Sequence, residues 1–200
     1  MRLTRRLALA ALAAAFAPAF VRAATTPEDD ALVARAVAYL DALTSVKGAF
    51  QQTDQRGGVA NGMFYLARPG RARFEYAAPS GLLVTSDGKT VIVSNSRLKT
   101  FQRFPLSSTP LSLFLAAHIR LDKGARVTRV DRGPNGYSVT AEGARGLNQG
   151  QITLYFSEAP LRLIGWAVTD AQGRSTRVSL GPLTPIESPD SDLFTQSPST

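Results

Sequence analysis

Gly62-Met63-Phe64-Tyr65-Leu66-Ala67-Arg68-Pro69-Gly70-Arg71-Ala72-Arg73-Phe74-Glu75-Tyr76 reads as a β-hairpin, and the fold follows from that reading. Large apolar residues occupy both arms, and Arg68-Pro69-Gly70 supplies the turn between them. Side chains in a strand alternate with a period of two. Phe64 and Leu66 therefore share one face of the first arm, and Phe74 and Tyr76 share one face of the second. Arg71, Arg73 and Glu75 then point the other way, as an ordinary solvated charged face. Arg68 differs from them, because at a strand end beside a proline turn it can reach across the mouth of a curled sheet.

The same texture extends on both sides of the hairpin. Asp87-Gly88, set between Leu82-Leu83-Val84 and Val91-Ile92-Val93, is a second hairpin signal, since its turn needs positive φ. Short β-type segments punctuated by Gly, Pro, Asn and Asp are expected near 46–54, 60–67, 71–77, 81–86, 89–95 and 97–104. Thr109-Pro110 starts a short helix over 111–119, a capping hydroxyl followed by proline. A second meander follows near 126–132, 136–142, 150–157, 161–170 and 174–181, and 189–194 closes with a turn or short helix.

Ahead of the strands, Thr26-Pro27-Glu28-Asp29-Asp30 opens a helix, with acids at the positive end of its dipole. Leu32, Ala36, Tyr39, Leu40 and Leu43 form its apolar face, with Arg35 and Asp41 opposite. The fold class is thus mainly β with some α: about eleven antiparallel strands in a single domain, with no internal repeat or linker. So many consecutive strands cannot stay flat, because twist accumulates until the sheet curls or closes. The concave face must be filled by side chains, a helix or a ligand.

Composition narrows the chemistry. The 200 residues are 44% hydrophobic and 19% charged, with no cysteine and one histidine, His118. A disulfide scaffold, thiol catalysis and cysteine-ligated zinc are excluded together. No P-loop, GxGxxG, HExxH or GxSxG occurs, and Glu75, Glu142 and Glu158 are scattered without pairing. His118 reads as the solvent-facing end of the short helix. Nothing argues for an enzyme, a metal or a cofactor.

The net charge of +8 suggests an anionic partner until the start of the chain is read. Arg2, Arg5 and Arg6 precede an uncharged Ala- and Leu-rich run from Leu7 to Phe20, and Val21-Arg22-Ala23 follows. That is the order of a secretory signal peptide, expected over 1–23 with the mature protein over 24–200. The run is shorter than the roughly 20 apolar residues of a membrane span, and a soluble exported protein is expected. Thr4-Arg5-Arg6-Leu7 also resembles a twin-arginine signal, so the export route stays open. Removing this segment takes four of the 23 basic residues and none of the 15 acids, which leaves +4. A nucleic-acid partner falls away with it.

With these stretches in view, the chain resembles the periplasmic lipoprotein carrier family, LolA. Leu40-Asp41-Ala42-Leu43 followed by Gly48-Ala49-Phe50-Gln51-Gln52 looks like the family's first helix running into its first strand. Arg68-Pro69-Gly70-Arg71-Ala72-Arg73-Phe74-Glu75-Tyr76 with Pro79 resembles its Arg-Pro hairpin, and Val84-Thr85-Ser86-Asp87-Gly88-Lys89 its SDGK turn. Thr109-Pro110-Leu111-Ser112-Leu113-Phe114-Leu115 is similar to its second lid helix, and Leu193-Phe194 with Pro198 to its terminal stretch. The resemblance covers most of 40–115 and is one of strand rhythm from 120 to 190.

The resemblance implies an open, incomplete β-barrel of about eleven strands with a helical lid over an apolar cavity. It implies that Arg68 latches the lid, and that Leu40, Phe74, Tyr76, Leu111, Leu113 and Phe114 line or cover the cavity; for this apolar set plain core packing stays an alternative. Phe74 stands where the family has a cavity tryptophan. The implied function is a monomeric periplasmic carrier that shields the acyl chains of lipoproteins between inner and outer membrane. Its implied partners are acylated lipoproteins as cargo, an inner-membrane ABC transporter as donor and an outer-membrane acceptor. A periplasmic lipid-sensing regulator, or a carrier of another lipid class, is the alternative on the same architecture.

Overall fold

The computed structural model describes residues 26–109, 111–119, 125–143, 150–170 and 172–196. The export signal expected over 1–23, Pro110 and Pro198 lie outside the described residues, as does the side chain of Leu113. Helix α1 (Pro27–Ala42) begins where the sequence places it. Thr26 Oγ1 accepts the Asp29 N–H while Asp29 Oδ2 accepts the Thr26 N–H, so two otherwise orphaned donors at the helix start satisfy each other. These backbone and hydroxyl hydrogen bonds, with Arg132 nearby, hold the Asp29 carboxyl below the usual carboxylate range.

Six strands follow: β1 (Ser45–Thr53), β2 (Val59–Ala67), β3 (Arg71–Tyr76), β4 (Leu82–Asp87), β5 (Thr90–Asn95) and β6 (Thr100–Pro105). After a 3-10 turn at Leu106–Ser108 and helix α2 (Leu111–Leu115) come β7 (Ala125–Gly133), β8 (Gly136–Gly143), β9 (Gly150–Glu158), β10 (Leu161–Asp170) and β11 (Ser175–Leu180). A two-residue strand β12 (Thr184–Pro185), not expected from sequence, pairs with β1, and a 3-10 turn spans Ser191–Phe194.

All strands join one antiparallel sheet in the order β6-β5-β4-β3-β2-β1-β11-β10-β9-β8-β7. The chain starts in the middle, meanders to one edge, crosses through α2 to the opposite edge and meanders back. The two edges, β6 and β7, are not paired, so the barrel is open. Its curl can be measured from side chains. Phe74 on β3 and Trp166 on β10 are four strand spacings apart, about 19 Å on a flat sheet, yet their ring centroids lie 5.9 Å apart.

Two local differences from the sequence reading have plain causes. Strand β6 starts at Thr100, not near 97, because Asn95 Oδ1 accepts the N–H groups of Arg97 and Leu98 and folds that segment into a turn. The β4–β5 loop is Gly88-Lys89, one residue later than expected, because Asp87 Oδ1 accepts from the N–H groups of Lys89 and Thr90. Helix α2 is also shorter than the expected 111–119 and gives way to bends after Leu115.

Candidate functional site

The register turns the hairpin's alternation into rows across the concave face. One row runs Gly48, Phe64, Phe74, Val84, Val93, and the row above it Val46, Leu66, Ala72, Ser86, Val91. Phe64 and Phe74 lie tilted against each other at 4.9 Å, and Phe50 meets Phe74 and Tyr76 edge-on at 5.6 and 5.0 Å. Gly62 makes the Phe50 position possible: a Cβ there would collide with the Glu75 carbonyl and sit 2.7 Å from the Phe50 ring. Trp166 joins from β10 at 5.7 Å from Phe64, and α2 places Phe114 over it at 5.5 Å. These aromatic pairs and their burial tie the two halves of the sheet and the lid to one centre.

Above this cluster a small apolar pocket, with only about 20 Å³ of free interior, is bounded by Ala36, Val37 and Leu40 of α1, by Phe114 and Ile119 of the α2 segment, and by β8 and β9. Leu40 is 1% exposed and Phe114 3%. The expected lid and cavity residues Leu40, Phe74 and Phe114 thus meet in one core, with Tyr76 and Leu111 packed half-buried at its margin. Tyr76 donates to Gln52 Oε1 at 2.7 Å, and burial pushes its phenol up to about 12.

Arg68 lies beneath the lid with only 4% of its side chain exposed. Its guanidinium sits 5.3 Å from the centre of the Phe114 ring, and Nη1 is 3.9 Å from Asp41 Oδ1 on α1. Among the described residues none of its three nitrogens has a hydrogen-bond partner. Burial lowers its affinity for the proton, with the Asp41 carboxylate pulling the other way, but a guanidinium stays charged in a protein. Asp41 also accepts the Ile119 N–H at 3.0 Å, and the Gly70 N–H donates to the Leu115 carbonyl at 2.7 Å. The Arg68-Pro69-Gly70 turn, α1 and α2 therefore converge on one point. His118 is exposed, as expected, with Nδ1 3.9 Å from Asp41 Oδ2.

The outer face of the hairpin departs from the sequence reading. Arg71 and Arg73 are not simply solvated; they clasp the C-terminal segment. Arg71 lies over the Phe194 ring at 5.4 Å, Arg73 donates to the Leu193 carbonyl, and Gln196 bonds Ser94 on β5. Phe194 is 1% exposed there, so a hydrophobic residue near the chain end neutralises what alternation alone reads as a wet face. Sequence reasoning also passed over Trp166 and Asp41. The signal for Trp166 was its place as the chain's single tryptophan in an alternating strand.

A curled, unclosed antiparallel sheet with an apolar interior, roofed by α1 and the α2 segment, defines the class: an open β-barrel with a helical lid. The model of the outer membrane lipoprotein carrier protein LolA family matches residues 41–197, and the chain belongs to that family. No curated protein sequence matches it. Among solved structures it is similar to a DUF1329 family protein from Desulfovibrio piger, with a TM-score of 0.50 and 10% identity over 82% of this chain and 94% of that one. A LolA superfamily protein from Nitrosomonas europaea matches at 0.45 and 12%, over 82% and 97% of the two chains. The MucA/MucB complex of Pseudomonas aeruginosa matches at 0.43 and 14%, over 82% of this chain and 59% of that chain. At these identities the likeness concerns fold alone.

Proposed function

We propose that this protein is a periplasmic carrier that takes up the acyl chains of lipoproteins beneath its lid and moves them from the inner to the outer membrane. The observation that carries the reading is the apolar pocket between α1, α2 and β8–β9, roofed by a segment whose described residues form no strand of the sheet. In this reading residues 1–23 direct export and are removed, and the monomer performs no catalysis. An inner-membrane ABC transporter loads it and an outer-membrane acceptor unloads it.

The energetics fit a shuttle. An acyl chain in water costs about 0.8 kcal/mol per methylene, on the order of 10 kcal/mol for a long chain. Shelter is therefore obligatory, while release demands a lid that opens at modest cost. A desolvated guanidinium on a phenyl ring contributes roughly 2 kcal/mol, which is the right scale for a latch. Arg68 supplies it by touching Phe114 of α2 and Asp41 of α1 together. Lipid entering the chamber displaces Phe114, and Leu40, Leu111 and Leu113 then cover the chains while Phe74 and Tyr76 line the chamber below.

Mass spectrometry of what co-purifies with the protein from the periplasm tests this. Lipid-modified peptides are the expected finding. Free lipid alone would point instead to a carrier of another lipid class, and an empty chamber with a tightly bound protein to a lipid-sensing regulator.

A further inference from the structure

Beneath the lid lies a cation whose donors are unused. The guanidinium of Arg68 is almost wholly removed from solvent, its three nitrogens have no hydrogen-bond partner among the described residues, and its nearest anion is 3.9 Å away. That anion is already engaged by the Ile119 N–H. Buried donors left unmade are costly, and those on a charged group more so. The same guanidinium touches Phe114, which with Leu40 and Ile119 walls the apolar pocket. Five N–H donors thus lie dry behind the Phe114 wall of a pocket lined by hydrocarbon.

An acyl chain entering such a chamber brings a polar end. Its ester or amide carbonyl accepts hydrogen bonds and donates none, and it loses water as the chain goes in. The two deficits match: an acceptor without donors meets donors without acceptors. We propose that Arg68 binds the acyl carbonyl oxygens at the polar end of the lipid, exchanging its contacts with Phe114 and Asp41 for hydrogen bonds to the cargo as the lid opens. This assignment rests on the carrier reading and sharpens it: the ligand is an acyl ester or amide, not a bare hydrocarbon or an ether lipid. The closed lid is then held by contacts poorer than those the cargo offers, so loading and opening are one exchange at one residue.

The test compares two probes that differ only at the carbonyl: 1-palmitoylglycerol, an ester, and 1-hexadecylglycerol, its ether. Binding to the unmodified protein is measured by quenching of Trp166 or by calorimetry. A hydrogen bond to a charged group predicts an ester preference of ten- to about a hundredfold. Arg68→Met should abolish the preference, and Arg68→Lys, which keeps the charge and fewer donors, should retain part of it. Equal affinity of both probes for the unmodified protein overturns the proposal without any mutation. So does a preference that survives in Arg68→Met, or an equal loss for both probes, which is what a purely structural latch would give. If neither probe binds, the carrier reading fails first and takes this one with it. A diacylglyceryl-cysteine peptide and a phosphatidylglycerol of equal chain length, run as competitors, separate the two sources of such a carbonyl. Displacement at lower concentration by the peptide assigns it to a lipoprotein; displacement by the phospholipid alone overturns that assignment.

Discussion

Replacing Phe114 with alanine should open the lid without unfolding the sheet. The ring is 3% exposed, stacks on Trp166 at 5.5 Å and carries the Arg68 guanidinium at 5.3 Å. Truncating a buried phenylalanine costs about 3–5 kcal/mol, and here nearly all of that is lost from contacts between α2 and the rest. Helix α2 has five residues and contributes no strand to the sheet, so its opening need not be coupled to global unfolding. A loss of about 3 kcal/mol confined to the closed lid raises the open population more than a hundredfold, since about 1.4 kcal/mol is a factor of ten. The chain's single tryptophan, Trp166, is the reporter, only 4% exposed and tilted against Phe114. In Phe114→Ala its emission should shift red and acrylamide should quench it far more strongly. The thermal midpoint should fall much less than in Phe64→Ala, where a fully buried ring is removed from the sheet itself. Unchanged quenching, or equal loss of midpoint in both variants, would refute the idea of a separately moving α2.

Other outcomes follow from the same contacts. Arg68→Leu should fold nearly normally while impairing lipoprotein delivery, scored by transfer of a lipoprotein from inner to outer membranes; normal delivery removes the latch. Asp41→Asn keeps an acceptor for the Ile119 N–H but takes away the anion beside Arg68, which should weaken closure by about 1 kcal/mol and speed exchange of the Ile119 amide. Tyr76 titrates at about 12 when folded against an ordinary 10. The folded state therefore favours the neutral phenol, so this stability is complete below pH 10 and is lost as pH rises from about 10 to 12. The loss amounts to about 2–3 kcal/mol. In Tyr76→Phe the decline in denaturant midpoint over that window should flatten.

The strands were legible because each buries one face, so polar and apolar residues alternate, and the turns between them carry Gly, Pro, Asn or Asp. Local alternation could not say which strands meet at the seam. Strands β1 and β11 pair 130 residues apart, Phe50 opposite Leu180, and nothing near either one marks the other as its partner. The position of Arg68 was legible from its place at a strand end, but its missing hydrogen bonds were not, since they depend on how α1 and α2 pack over it. The clasp of Arg71 and Arg73 on Phe194 was hidden for a similar reason: alternation assigns a face, not what covers it. Trp166 escaped because its neighbours Phe64 and Phe74 lie on strands that only the curl brings near.

Topology links the open barrel to a movable lid. A sheet whose chain begins in its middle and reaches both edges must cross from one edge to the other, and here that crossing is the stretch from Leu106 through α2 to Ala125. Its described residues lie over the concave face, where the apolar side chains of Leu106, Phe114, Leu115 and Ile119 are buried. The segment that joins the two unpaired edges, β6 and β7, is thus the one that covers the apolar interior. On the carrier reading, the open edge leaves a gap for lipid and the crossing supplies its cover. Among the described residues, hydrogen bonds from the Gly70 N–H to the Leu115 carbonyl and from the Ile119 N–H to the Asp41 carboxylate tie this segment to the turn after β2 and to α1, and neither bond belongs to a strand ladder. On the proposed reading, the carrier works through an apolar interior, a crossing that moves, and the buried Arg68 guanidinium between Phe114 and Asp41.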